Sequence, residues 1–258
     1  MTSWNSFSKK DNLIFGIGFT IKDKIKQFGK NEETVMGMNI AIDGPAGAGK
    51  STIAKRIAKE LSFIYVDTGA MYRAMAYFFL QNHTDQADFG TACQDADITI
   101  KYENGEQVVY LNGENVNGVI RTEAVGNMAS VSSANPQVRA KLVELQQKLA
   151  ANADVVMDGR DIGTCVLPDA PVKVYLTASS KERARRRYEE LSAKGVACDL
   201  EQIEADIIDR DHRDMTREIS PLKQAEDAVL IDSSHMTIEE VTEAIIHLYK
   251  DVRQRNHI

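Results

Sequence analysis

Gly44-Pro45-Ala46-Gly47-Ala48-Gly49-Lys50-Ser51 meets the pattern G-x-x-x-x-G-K-[ST] at every position. The pattern describes a physical device. Glycines let successive backbone N–H groups turn toward one anion, Lys50 adds a point charge on the outer phosphates, and the Ser51 hydroxyl is placed to ligate the Mg²⁺ that accompanies a nucleoside triphosphate. The flanking residues supply the required context. Met38 to Asp43 is a short apolar segment ending in an acid, and Ile53, Ile57 and Leu61 recur at i, i+4 and i+8 on one face of a following helix. Strand, glycine loop and helix together aim a helix N-terminus at phosphate.

Further apolar, β-rich runs alternate with helical patterns: Ser62 to Asp67, Asp154 to Asp158, Val172 to Thr177 and Ala228 to Asp232. Short continuous runs of this kind fit strands buried on both faces of a parallel sheet covered by helices. Ligands gather at the carboxyl ends of such strands, where Asp43, Asp67 and Asp158 fall beside the phosphate loop. One segment breaks the pattern. Asp97 to Gly113 alternates in polarity around Asn104-Gly105, a hairpin signal. With a third strand over Val116 to Ile120, it predicts a small antiparallel insert at about 95–121. Thr122 to Ala134 and Pro136 to Ala151 read as helices.

Composition narrows the function classes. The chain has 258 residues, is 43% hydrophobic and carries a net charge of −7, which fits a folded α/β protein and argues against a general binder of nucleic acid polymers. Cys93, Cys165 and Cys198 are sparse and show no C-x-x-C, as expected of reduced thiols in a cytoplasmic protein, and the histidines show no metal-ligand spacing. No apolar run approaches a membrane span. Residues 1–37 differ from the rest. Their apolar run, Leu13 to Phe19, precedes its lysines and lacks a cleavage site, so they read as a poorly ordered extension with no catalytic role, ahead of a single domain over 38–258.

Four more clusters carry charge to the cleft. Asp67-Thr68-Gly69-Ala70-Met71-Tyr72-Arg73 ends a strand and opens a helix, where Thr68 either caps the helix or offers its hydroxyl to a ligand. Asp158-Gly159-Arg160-Asp161-Ile162-Gly163 places an acid after an apolar strand, a position that commonly orders Mg²⁺. Lys181 to Arg187 is an arginine-rich helix suited to a lid that excludes water and neutralises phosphate. Arg210, Arg213, Asp214 and Arg217 stand at i, i+3, i+4 and i+7, one helical face. A surface ion-pair stripe would look the same. No Asn-Lys-x-Asp guanine reader, Ser-His-Asp set or metal cluster is present. A phosphate acceptor, largely dianionic at pH 7, would need no general base.

Taken together, these segments resemble the bacterial cytidylate kinase family of the nucleoside monophosphate kinase superfamily, from about Met38 to Val252. Pro168-Asp169-Ala170-Pro171-Val172-Lys173 and the antiparallel insert add to the resemblance. It implies a P-loop kinase three-layer sandwich: a five-stranded parallel sheet with helices on both faces, the small insert, and an arginine-rich helical lid over 179–195. It implies a (d)CMP kinase, using MgATP to convert CMP and dCMP to CDP and dCDP, and a monomer without membrane association. The donor site would comprise Gly44, Pro45, Ala46, Gly47, Ala48, Gly49, Lys50, Ser51 and Thr52, with Ser51 on the metal. The acceptor site would comprise Thr68, Arg73, Ser130, Arg139, Arg160, Asp161, Arg210, Asp214 and Arg217. Arg73 and Arg139 would bind the phosphate. Ser130, Arg160 and Asp161 would read the cytosine edge, Arg160 donating to the ring carbonyl and Asp161 accepting from the amino group. Arg210, Asp214 and Arg217 would contact sugar and phosphates. Catalysis would rest on Lys50, Asp158, Arg160, Arg210 and Arg217, with Arg183, Arg186 and Arg187 on the lid. Thr68 stands where serine is also common in the family; both keep the hydroxyl. Two alternatives remain open: a P-loop kinase acting on UMP or a non-nucleotide alcohol, and a catalytically silent nucleotide-binding module.

Overall fold

A computed structural model describes residues 38–255. The extension 1–37, with its expected lack of order, lies outside the described residues. Five strands, β1 (Ile40–Asp43), β2 (Ile64–Asp67), β6 (Val155–Gly159), β7 (Val172–Thr177) and β8 (Val229–Asp232), form one sheet in the order β2-β6-β1-β7-β8. Every pairing in it is parallel. Successive β1 residues point to opposite faces and both faces are buried. Ile40 and Ile42 enter one core with Ile53, Ile57, Val174 and Ile245, while Ala41 enters the other with Met71, Phe79, Leu142 and Met157. Helices α1 (Lys50–Leu61) and α8 (Ile238–Arg255) cover the first face. Helices α2 (Thr68–Gln81), the short α3 (Phe89–Ala92), α4 (Glu123–Ser132) and α5 (Pro136–Ala150) cover the second. The expected three layers follow from strand sequences that are mainly apolar on both faces, with their acids at the carboxyl ends of β1, β2 and β6 and one buried lysine, Lys173, in β7.

The insert contains β3 (Ile98–Glu103), β4 (Glu106–Leu111) and β5 (Glu114–Asn115), antiparallel throughout. Asn104 and Gly105 both take positive φ, as do Asn112 and Gly113. Each pair makes a two-residue hairpin turn whose twist matches its strands. The third strand is therefore Glu114–Asn115, and not Val116 to Ile120 as the sequence suggests. The second turn comes directly after Leu111; the Val116 N–H still bonds the Val109 carbonyl at 3.0 Å, but the chain then turns, the Val119 and Ile120 N–H groups bonding back to the Val116 carbonyl, and the Val116 and Ile120 side chains enter the core. The insert docks on the edge strand β2. The Asp67 N–H donates to Gln107 Oε1 at 2.9 Å, Gln107 Nε2 donates to the Asp67 carbonyl at 3.1 Å, and the Tyr102 hydroxyl donates to the Tyr65 carbonyl at 3.0 Å. These bonds satisfy backbone groups that an edge strand would leave unpaired.

Helices α6 (Ser180–Ala193) and α7 (Leu200–Thr216) pack on each other. Side-chain caps set the helix starts. Ser179 accepts from the Glu182 N–H, Asp199 from Gln202, and Asn135 from Gln137 and Val138. Pro136 sits in the first turn of α5, where its missing N–H costs nothing. Replacing Asn135 by Ala should destabilise the fold by about 1 kcal/mol. Thermal melts should show a midpoint lowered by about 2–4 °C for a chain of this size; an unchanged midpoint would mean that the cap contributes nothing.

Candidate active site

The carboxyl ends of β1, β2 and β6 meet at one cleft. The backbone at Gly44 has φ +147°, and a Cβ there would stand 1.9 Å from the Leu176 carbonyl oxygen, so only glycine lets the chain leave β1 in this direction. Gly49, at φ +89°, hands the loop into α1. Lys50 is 5% exposed, and its ammonium donates to the Pro45 carbonyl at 2.7 Å, inside the loop it completes. Burial, and secondarily the charge of Arg160, hold its pKa well below the ordinary lysine value. A desolvated cation facing turned-in backbone N–H groups is a strong attractor for an anion.

Asp158 joins donor loop and cleft floor. Its Oδ2 accepts from the Ser51 hydroxyl at 2.9 Å and its Oδ1 from the Tyr65 hydroxyl at 2.8 Å. Its backbone carbonyl accepts from Thr68 Oγ1 at 2.7 Å. Burial, then the neighbouring charge of Asp67, pushes its pKa up to about 6. Asp67 Oδ1 accepts from the Ala70 N–H, so Asp67 caps α2. Thr68, offered by the sequence as cap or ligand contact, is not the cap; its hydroxyl ties α2 to β6. Asp43 holds the other side of the turn: its carboxylate accepts from the Ile162 and Gly163 N–H groups, each at 2.7 Å. Its pKa also rises to about 6, because desolvation outweighs those two bonds. The turn then closes as one π-helical loop, Ile162–Val166, and Asp161 caps no helix.

Arginines from separate elements converge beyond this floor. Arg139, 3% exposed, pairs with Asp161, 4% exposed, and also donates to the Ser133 carbonyl at 3.3 Å. Arg217 Nη2 lies 3.7 Å from the other oxygen of Asp161, and its Nε donates to the Ser220 carbonyl at 2.7 Å. Arg160 Nε donates to Asp214 at 2.8 Å. Arg210 is pushed down to about 10 by burial and then by Arg160. Arg73 leans against α4 at Gly126, where a Cβ would stand 3.1 Å from its Nη1, and makes one long bond of 3.4 Å to the Ile120 carbonyl. Among the described residues, several buried polar atoms here have no hydrogen-bond partner: Arg139 Nε, Arg210 Nε, Arg217 Nη2 (its 3.7 Å ion pair is too long for one), Ser130 Oγ and the Tyr72 hydroxyl. Buried donors are rarely left so, and a cluster of them marks a place where a polar ligand completes the bonds.

The expected single face for Arg210, Arg213, Asp214 and Arg217 is corrected. Helix α7 ends at Thr216, Arg213 is exposed, and Arg217 follows with extended backbone at ψ 141°. That turn of the chain, rather than helical periodicity, carries Arg217 to Asp161. The arginines of α6 divide into two sets. Arg183 is buried, donating to Asp211 at 2.6 Å and to the Ala46 carbonyl of the phosphate loop at 3.0 Å. Arg186 donates to the Ser233 carbonyl at 2.7 Å, close to Gly49. Arg185 and Arg187 face outward and pair with glutamates of their own helix.

Sequence reasoning missed Tyr65, Arg121, Ser133 and Asp211. Tyr65 was legible only as one more strand residue, and Asp211 stands in the basic run already singled out. Nothing local marks Arg121, whose guanidinium reaches Asp67 at 2.5 Å across 54 positions of chain. Among the described residues, no group of three or more His, Cys, Asp or Glu side chains could hold a metal, and no helix is long and apolar enough to cross a membrane. Cys93, Cys165 and Cys198 are free thiols.

Residues 40–251 match the family model described as cytidylate kinase. The chain is 50% identical over 211 residues to the cytidylate kinase of Lactiplantibacillus plantarum, a match covering 81% of this chain and 92% of that protein. It is 52% identical over 211 residues to the cytidylate kinase of Listeria welshimeri, covering 81% and 94%. It is 49% identical over 214 residues to that of Carboxydothermus hydrogenoformans, covering 82% and 96%. A phosphate loop, an acid at the next strand end and a pocket of under-bonded arginines are thus embedded in a sequence that matches these proteins over nearly their whole length, and the chain belongs to the cytidylate kinase family.

Proposed function

We propose that the protein transfers the γ-phosphoryl group of MgATP to the phosphate of CMP or dCMP, in line and without a general base. The observation that supports this reading is the set of buried donors without a hydrogen-bond partner on Arg139, Arg210, Arg217 and Ser130, of which Arg139 and Arg217 flank Asp161 just past the end of β6. They come from different elements, which fold has brought together at a cost in desolvation that a dianionic, polar ligand would recover.

Division of labour follows from position. Gly44 to Thr52 would cradle the donor phosphates, with Lys50 as the charge on the outer ones. Arg73 and Arg139 would hold the acceptor phosphate, and Ser130, Arg160 and Asp161 the cytosine edge. Arg210, Asp214 and Arg217 would align sugar and phosphates. Arg183 already clamps the phosphate loop through Ala46; Arg186, which lies near Gly49, and Arg187, on an exposed pair with Glu190, would be the lid cations left to reach phosphate. The Mg²⁺ fits what is present: a serine hydroxyl and a carboxylate oxygen 2.9 Å apart are hard oxygen donors, and a buried acid raised to about 6 is one that a cation would relieve. Ser51 and Asp158 would hold the ion, directly or through its waters, and it would supply charge neutralisation on the phosphoryl oxygens. The acceptor phosphate, with its second pKa near 6, is already a nucleophile at pH 7. Catalysis then reduces to alignment and charge stabilisation in a water-poor cleft.

An acceptor panel tests the reading. With MgATP and coupled detection of ADP, CMP and dCMP should turn over efficiently, with kcat/KM at least about tenfold above UMP, AMP and GMP, since hydrogen-bonded readout of a base edge readily gives such ratios. A preference for AMP or GMP would overturn the acceptor assignment.

A further inference from the structure

Arg121 lies just before Thr122, the residue whose hydroxyl caps α4. Its Nη2 donates to Asp67 Oδ2 at 2.5 Å, yet its side chain is 58% exposed while that of Asp67 is 8% exposed. The pair therefore has one end in the cleft floor and the other open to solvent. Solvent screens the guanidinium end of such a pair and competes for its donors, which lowers the cost of parting it. The position is not peripheral. Asp67 stands at the carboxyl end of β2, in register with Asp158, and Asp158 bonds Ser51.

A second cation lies alongside. Among the described residues, Arg73 bonds only the carbonyl of Ile120, the residue preceding Arg121, at 3.4 Å. Its pKa is held down first by burial and then by the positive charge of Arg121. Two guanidiniums are thus held on neighbouring stretches of chain, one by a long bond and one by an exposed pair. Asp67 bonds Arg121 and its charge also acts on Arg73, while its Oδ1 is already occupied as the cap of α2. The mutual repulsion is tolerable with one carboxylate present and would be better relieved by a doubly charged anion offering several acceptor oxygens. Guanidinium forks match phosphate geometry, whereas a single carboxylate oxygen uses only part of that capacity.

We propose that Arg121 is an acceptor-binding residue: in the free protein Asp67 holds it, and on arrival of the nucleoside monophosphate it leaves Asp67 and closes with Arg73 on the phosphate. The inference rests on the acceptor reading above and adds to it a cation that swaps partners. It also gives Asp67 a role as resting counter-ion, besides its role as a helix cap.

Arg121→Met and Arg121→Lys should be compared with the unmutated protein in steady-state kinetics, with cytidine as a competitive ligand lacking the phosphate. Arg121→Met should raise KM for CMP by about tenfold or more, the loss of one charge-assisted contact, and leave KM for ATP, the inhibition constant of cytidine and the melting midpoint essentially unchanged. Arg121→Lys should recover part of the loss. An unchanged KM for CMP in Arg121→Met overturns the inference. So does parallel weakening of CMP and cytidine with a lowered melting midpoint, which would make Arg121 structural. If the unmutated protein fails to phosphorylate CMP, the acceptor reading falls, and this inference with it; if it does phosphorylate CMP, the variants bear on Arg121 alone.

Discussion

Lys50→Met is expected to lower kcat by about a thousandfold, some 4 kcal/mol of transition-state stabilisation, and to leave the fold intact. Phosphoryl transfer offers little covalent work for a protein, so a fixed charge beside the transferring group carries much of the effect. In the proposed reaction Lys50 would be that charge. Its ammonium is buried and held by a carbonyl of its own loop, with no carboxylate bonded to it. Its stem lies among α1 residues that methionine can imitate in length and volume. Removing a desolvated cation leaves Asp43 and Asp158 without its attraction. Both already titrate near 6, so they can take up protons rather than remain as bare buried charges. The melting midpoint should therefore stay within a few degrees. Turnover reduced less than tenfold would remove Lys50 from the chemical step, and a collapsed midpoint would show that the ammonium is structural.

The second large effect is at Asp161. Arg139 and Arg217 share this one carboxylate, and both Asp161 and Arg139 are almost fully buried. Asp161→Ala leaves two cations facing each other without a counter-charge, for which about 3–5 kcal/mol of destabilisation is expected. Asp161→Asn keeps the shape and one acceptor oxygen, and so should lose less stability. Its kinetic signature should be sharper. If Asp161 accepts from the cytosine amino group, an amide can present its own N–H₂ to the uracil carbonyl instead. The kcat/KM ratio of CMP to UMP should then fall by about a hundredfold or more, while KM for ATP stays unchanged. Chemical denaturation and the two acceptor assays separate these roles. A retained CMP to UMP ratio in Asp161→Asn would leave Asp161 as an anchor for the arginines and nothing more.

Much of the architecture was legible because local rules act over short distances. The apolar runs of β1 and β6, and that of β7 apart from Lys173, which pairs with Asp227, could satisfy both faces only inside a covered parallel sheet. Asn104-Gly105 and Asn112-Gly113 could hardly make anything but tight hairpin turns, since both members of each pair take positive φ. The misplaced third strand came from carrying the pairing on through Ile120, when the backbone turns after Val116 and the Val116 and Ile120 side chains serve the core. Helical spacing likewise gathered Arg210, Asp214 and Arg217, although α7 stops before Arg217.

Residue order alone therefore determined the phosphate loop, the strands that carry it and the supply of arginines: each depends on backbone preferences and periodicity within a few turns of chain. Only the tertiary structure decided which charges meet. Arg139 finds Asp161 across 22 positions, Arg160 finds Asp214 across 54, and Arg183 finds Ala46 across 137. Such pairings follow from where helix ends and strand ends converge, and from the need to neutralise whatever charge is buried there. In the opening stretch, Gly44-Pro45-Ala46-Gly47-Ala48-Gly49-Lys50-Ser51, the sequence specifies an anion cradle. The fold supplies Asp158 against Ser51, Arg183 behind Ala46 and a pocket of under-bonded arginines across the cleft, because burial makes each of those charges depend on a partner that sequence spacing does not encode.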